Sequence, residues 1–177
     1  MIVVHIPDTD FFDEASQTFL SVKACELRLE HSLIALQAWE SKWHKPYLTD
    51  QPKTREEDLD YIRCMTLDKN IDSYVYYALP QTELQRIREY MNDPMTATTF
   101  SKKGRPGRDI VTAELIYYYM TELNIPFECR KWHLNQLTTL IRVCSDMRAP
   151  KKKMSPSEMH EINKARRAKA RLKGGKS

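Results

Sequence analysis

Glycine is scarce, with 4 in 177 residues, which excludes collagen-like and glycine-rich low-complexity architectures. Long apolar runs are missing too. Stretches such as Tyr74–Leu79 fall far short of the about 20 residues a membrane-spanning helix needs, so no membrane association is expected. No basic segment followed by an apolar one opens the chain, so no secretory leader is expected. No CxxC pair occurs among Cys25, Cys64, Cys129 and Cys144. The one metal-like spacing, Cys129-x3-His133, lacks a second ligand pair, and His5, His31, His44 and His160 are scattered. The pattern predicts free, buried thiols in a reducing compartment and no metal. GxSxG, P-loop, HExxH and GxGxxG motifs are absent, and Glu114, Glu122 and Glu128 read as solvent-facing carboxylates. The expectation is therefore a protein that is not an enzyme and holds no cofactor.

What is present fits one ordinary globular domain, with 41% hydrophobic and 29% charged residues. Charge is unevenly spread. Residues 148–177 carry 11 bases against 2 acids, a net +9, while residues 1–147 carry 17 bases against 22 acids, a net −5. An acidic body, 1–147, and a basic tail, 148–177, are the expected divisions; such a tail either meets an anionic partner or the body, or merely solubilises.

Met1–Ile6 reads as a strand stopped by Pro7, Asp8–Gln17 as an acidic loop, and Thr18–Ala24 and Leu27–Leu29 as alternating strand segments. Helical spacing follows: Leu33, Leu36, Trp39 and Trp43 behind a Ser32 cap, ending at Pro46. Thr54 with Glu57 forms a capping box before Leu59, Ile62 and Met65, and Thr82 with Gln85 a second before Leu84, Ile87 and Met91. Ile71–Leu79 fits either state; Asp93-Pro94 stops the preceding helix, and Met95–Phe100 reads as a strand or an extended link. Asp109 is expected to cap the longest helix, which carries Ile110, Ala113, Ile116, Tyr117, Met120 and Leu123 and closes at Asn124 and Pro126. Lys131–Ser145 should form another helix, antiparallel to it as a hairpin. Ser155-Pro156-x-Glu158 is a capping box opening a marginal tail helix. The predicted class is mainly α (α+β): a helical domain with a small N-terminal β-hairpin or sheet and a basic helical tail.

Two sets of side chains are candidates for binding. Trp39 and Trp43 share a helix face, Trp132 is the third tryptophan, and Tyr117–Tyr119 spread over roughly 200° of a helix, so at least one is exposed or covered by another subunit. Trp39, Trp43, Tyr118 and Trp132 are the partner-contact candidates, with core packing the competing reading for the tryptophans. The basic loop Lys102–Arg108 contains a Gly-Arg-Pro core like that of minor-groove hooks. Arg105 and Arg108, with Arg166 and Arg167 of the tail, are the residues of an alternative, nucleic-acid-binding reading. The tail has no interleaved aromatics for base stacking.

Several stretches together resemble one family: LRLEHSLIALQAWESKWHKPYL (Leu27–Leu48), YIRCMTL (Tyr61–Leu67), MTATTF (Met95–Phe100), the pair within Ile110–Cys144, and APKKKMS (Ala149–Ser155). They are similar to the tail assembly chaperones of long-tailed bacteriophages of Gram-positive bacteria, over about residues 27–155. The most specific segments are Glu-Ser-Lys-Trp and Asn-Ile-Pro-Phe-Glu-Cys. The resemblance implies a non-enzymatic helper in the host cytoplasm. It would bind the helical tape measure protein and keep its apolar stripe from aggregating during virion assembly; self-association is expected separately, from the Tyr117–Tyr119 triplet. It also implies a ribosomal frameshift near the end of a short form; Lys151-Lys152-Lys153 and Gly175-Lys176 are runs that slippery codons would encode. A minor structural protein of the virion is a further alternative.

Overall fold

The computed structural model describes residues 1–13, 17–98, 110–149, 160 and 164. The chain divides into two compact units, Met1–Ser145 and Asp146–Ser177, against a sequence-based expectation of a break after residue 147. The fold is α+β. Among the described residues no helix is long and apolar enough to cross a membrane.

The N-terminal segment is a β-ribbon of four strands: β1 (Ile2–Ile6), β2 (Thr9–Asp13), β3 (Thr18–Val22) and β4 (Cys25–Leu29). β1 pairs with β4 and β2 with β3, both antiparallel, and the register runs unbroken from Ile2↔Leu29 through Ile6↔Cys25 to Thr9↔Val22 and Asp13↔Thr18. The ladder is interrupted where Pro7 has no N–H to offer. There the Asp8 carboxylate steps in, accepting from the Ala24 N–H at 2.6 Å. The buried face changes across the break. Val4, Ile6, Leu27 and Leu29 are buried at the base, whereas at the tip Val22 is buried and Phe12 and Phe19 stand in solvent. The loop expected over Asp8–Gln17 is thus corrected: its first half, Thr9–Asp13, is β2. Its acidic residues do not exclude a strand, because a two-stranded ribbon keeps one face wet.

Helix α1 (Leu33–Trp43) is capped as expected, with Ser32 Oγ accepting from the Ala35 N–H, and it ends on left-handed His44. Helix α2 (Arg55–Met65) has the full Thr54–Glu57 capping box. The ambiguous aromatic stretch is a 3-10 helix, Ser73–Ala78, that buries Tyr76. Helix α3 (Gln81–Asn92) starts one residue before the expected Thr82 cap. Pro80 supplies the turn without a side-chain cap bond, and Gln85 bonds to Glu89 instead of closing a box. Over the described residues Met95–Thr98 there is a bend and no strand.

Helix α4 (Ala113–Glu122) is capped by Thr112, whose hydroxyl accepts from the Leu115 N–H at 3.4 Å, so the helix begins beyond the Asp109 start expected for it. Among the described residues the longest helix is α5 (Leu134–Arg148), with 15 residues. The expected α4–α5 hairpin is replaced by packing of α4 on α1. A second 3-10 helix, Phe127–Lys131, fills the connection and separates the two helices. His133 caps α5, its Nδ1 accepting from the Asn135 N–H at 3.3 Å, a role outside the usual Ser, Thr, Asp and Asn repertoire. The basic loop and nearly all of the segment expected as a tail helix lie outside the described residues; His160 and Lys164 are helical.

The core joins Leu27 and Leu29 of the ribbon to Leu33, Leu36 and Trp39 of α1, Tyr61 and Met65 of α2, Ile116 and Met120 of α4, and Leu134 and Leu137 of α5. Glu40 is a buried carboxylate that organises this packing. It accepts from the Tyr47 N–H at 2.9 Å and the Ala113 N–H at 2.7 Å, tying α1 to the following loop and to the start of α4. Burial raises its pKa, opposed by these two hydrogen bonds. Glu40→Ala strands two inward-facing N–H groups, and chemical denaturation should show a loss of about 2–4 kcal/mol.

Candidate partner-binding surfaces

The four aromatic candidates occupy three kinds of site. Trp39 is 1% exposed, and its indole Nε1–H donates to the Glu57 carbonyl at 2.9 Å. It is a core residue, which corrects its selection as a contact residue: the helix face that it shares with Trp43 turns onto α2. Trp43 is half-buried, stacked on Trp39 at 6.0 Å and donating to Asp60 Oδ2 at 2.8 Å. Asp60 is itself buried and also meets Lys42 at 2.6 Å. An indole held this way is an anchor between α1 and α2.

Tyr118 and Trp132 are different, being 55% and 41% exposed. They belong to a stretch unusually rich in exposed large apolar side chains. Ile110, Val111, Tyr118, Tyr119, Phe127 and Trp132 all lie within 23 residues. The Tyr118 and Tyr119 rings are 5.6 Å apart, and Phe127 stacks with Tyr117 at 6.2 Å. Tyr117 itself is half-buried, its hydroxyl donating to Gln37 Oε1. Three consecutive helical tyrosines thus divide as their spacing requires: one turned toward α1, two outward. Buried Ala113, Ile116 and Met120 carry the inward face of the same helix.

A cleft provides a second surface. Helix α2 packs on α1 and the first 3-10 helix, whereas α3 packs on β1. The space left between α2 and α3 is a cavity of about 410 Å³. Buried Ile62 and Ile87 and half-buried Leu84 and Met91 line it, and Tyr47 stacks on buried Tyr61 at 3.6 Å beside them. Arg55 and Arg88 line its rim with Asp58 and Gln81. Burial pushes the Tyr47 hydroxyl well above the usual tyrosine range, reinforced by Asp58 and opposed by Arg88. Sequence reading placed α2 and α3 but not this cleft. The signal was there in the two amphipathic faces, Leu59/Ile62 and Leu84/Ile87/Met91; what the sequence did not show is that they leave a gap.

The histidines, scattered in sequence, meet in space. His31 and His133 are buried with ring centroids 5.2 Å apart. His31 Nδ1 lies 2.8 Å from the Tyr61 hydroxyl, and His133 Nε2–H donates to the Tyr90 carbonyl at 3.0 Å. Tyr90 continues the chain to Glu30 at 2.6 Å, and Glu30 holds the N-terminal ammonium at 2.7 Å. Burial, helped by His133, drives the His31 pKa down to about 3; burial also lowers that of His133. Both rings stay neutral at neutral pH. Backbone bonds at the same place, Leu134 N–H to the His31 carbonyl at 2.7 Å, make this a seam between the starts of α1 and α5.

Among the described residues no group of three or more His, Cys, Asp or Glu side chains is placed to hold a metal ion. The four thiols are unpaired, with Cys129 buried and the others half-buried. Burial pushes the Cys64 thiol up to about 11, which makes it a weak nucleophile. Arg105, Arg108, Arg166 and Arg167 lie outside the described residues. Compared with protein-family models, curated proteins and solved structures, the chain matches none.

Proposed function

We propose that the protein is a non-enzymatic assembly helper that holds a long amphipathic helical polypeptide, the tape measure protein of a long-tailed phage, in soluble form in the host cytoplasm during virion assembly. The observation that carries this reading is the exposed aromatic stretch over 110–132. Single exposed apolar residues are commonplace, but a concentrated set of rings is the kind of surface that protein partners cover. Amphipathic helices bind by laying an apolar row on such a surface, with tyrosine and tryptophan supplying large contact area at little entropic cost. The resemblance of the segments within 27–155 to tail assembly chaperones is the ground for proposing this partner, and the exposed rings are the proposed means.

Co-expression with the tape measure protein of a long-tailed phage tests the proposal. The wild-type chain is expected to raise the soluble fraction of that protein severalfold. Tyr118→Ser, Phe127→Ser and Trp132→Ser combined should abolish the effect. These side chains face solvent, so thermal stability should stay within about 1 kcal/mol of wild type. A partner that is equally insoluble with and without the wild-type chain would contradict the reading.

A further inference from the structure

Two surfaces of the body carry matching chemistry, an apolar pair beside a carboxylate on one and an apolar slot with guanidinium groups on the other. At the tip of the β-ribbon, Phe12 and Phe19 are cross-strand partners, 44% and 79% exposed, with rings 5.0 Å apart. Asp10, two residues before Phe12 on β2, lies on the same face by strand alternation, and it too is exposed. This is an apolar pair beside a carboxylate. The α2–α3 cleft is an apolar slot with Arg55 and Arg88 at its rim, and neither guanidinium has an ion-pair partner among the described residues. The two arginines stand out on a body whose net charge over 1–147 is −5. A volume of about 410 Å³ is in the range that takes a compact apolar group of a few rings.

We propose that the ribbon tip of one copy seats in the α2–α3 cleft of a second copy, Phe12 and Phe19 entering the slot and Asp10 meeting the guanidinium rim. Every element of the occupant is present in the chain itself, which is why a second copy, and not an unrelated ligand, is the partner. Asp58 on the rim sets the register, since an incoming carboxylate is steered away from it and toward the arginines. The contact joins two different patches. It therefore either closes reciprocally between two copies or runs head to tail into a ring or filament. The inference deepens the expected self-association and makes no use of the tape measure protein.

Sedimentation of the isolated full chain tests it. The wild type should self-associate reversibly. Phe12→Ser with Phe19→Ser should weaken association by roughly 30-fold, the effect of losing an interface hot spot. Arg55→Asp with Arg88→Asp should weaken it likewise. Mixing the two variants is decisive, because each retains the surface the other lacks: a one-to-one pair should form that neither makes alone. Asp10→Arg added to the arginine-reversed chain should restore its association. A wild type that stays monomeric, or variants that assemble unchanged, would overturn the proposal. So would a mixture that forms no pair although both variants keep the wild-type circular dichroism spectrum. None of these outcomes depends on whether the chain solubilises a helical partner.

Discussion

Trp39→Ala should remove about 3–5 kcal/mol of stability, a large part of the 5–15 kcal/mol a domain of this size possesses. Three losses combine. The indole is 1% exposed, so truncation leaves a cavity among Leu36, Tyr61 and its other neighbours. The Glu57 carbonyl loses the donor that reached it across 2.9 Å, at the first turn of α2. The rings of Trp43, Tyr47 and Tyr61, packed on Trp39 at 6.0, 4.9 and 6.5 Å, lose their common neighbour. Trp39→Phe keeps most of the volume but not the hydrogen bond, and should cost about half as much. Urea unfolding followed by circular dichroism measures both. Equal small losses for Trp39→Ala and Trp132→Ala would contradict the packing of α1 on α2 through Trp39.

Lowering the pH should destabilise the fold before the surface carboxylates titrate. His31 has a pKa near 3 in the folded state, against about 6.5 when unfolded. Between these values the unfolded chain binds a proton that the native chain refuses. The contribution is complete above pH 6.5 and is lost as pH falls, at up to about 1.4 kcal/mol per pH unit. His133 adds in the same direction, since burial lowers its pKa and protonation of Nδ1 would remove the acceptor that caps α5. The groups facing the pair are the Tyr61 and Tyr90 hydroxyls, Glu30, Asp93 and the N-terminal ammonium. Of these, Glu30 and Asp93 favour a charged His133 but do not reverse the effect of burial. The urea midpoint should therefore drop steadily from pH 7 to pH 5. His31→Gln should flatten that slope while lowering stability at pH 7. Identical slopes for variant and wild type would show that His31 titrates normally.

How much of this was legible in the sequence depended on whether the signal was local. Ser32, Thr54 and Pro46 act on their own neighbours, and the helices they bound stand where spacing placed them. The ribbon tip was hidden because Pro7 and four acidic residues look like a loop, although a strand with a wet face accepts them. The start of α3 was misplaced because Pro80 turns the chain without a capping side chain. The start of α4 differs because Asp109 ranks above Thr112 as a cap by type, although Thr112 is the residue that caps the helix. The histidine seam, the α2–α3 cleft and the division of labour between Trp39 and Trp132 are tertiary facts: residues 102 positions apart in sequence, such as His31 and His133, meet only in the fold. Periodicity can put two tryptophans on one face but cannot say whether that face meets a neighbouring helix or water.

Hydrogen exchange on the full chain, alone and co-expressed with the proposed partner, a tape measure protein, tests the central claim most directly. Backbone amides across 110–132 should exchange markedly more slowly in the complex, while those of β1 and β4 are unchanged. Unaltered exchange through that stretch, in a complex that nonetheless keeps the helical partner soluble, would show that the exposed rings are not the surface by which this protein works.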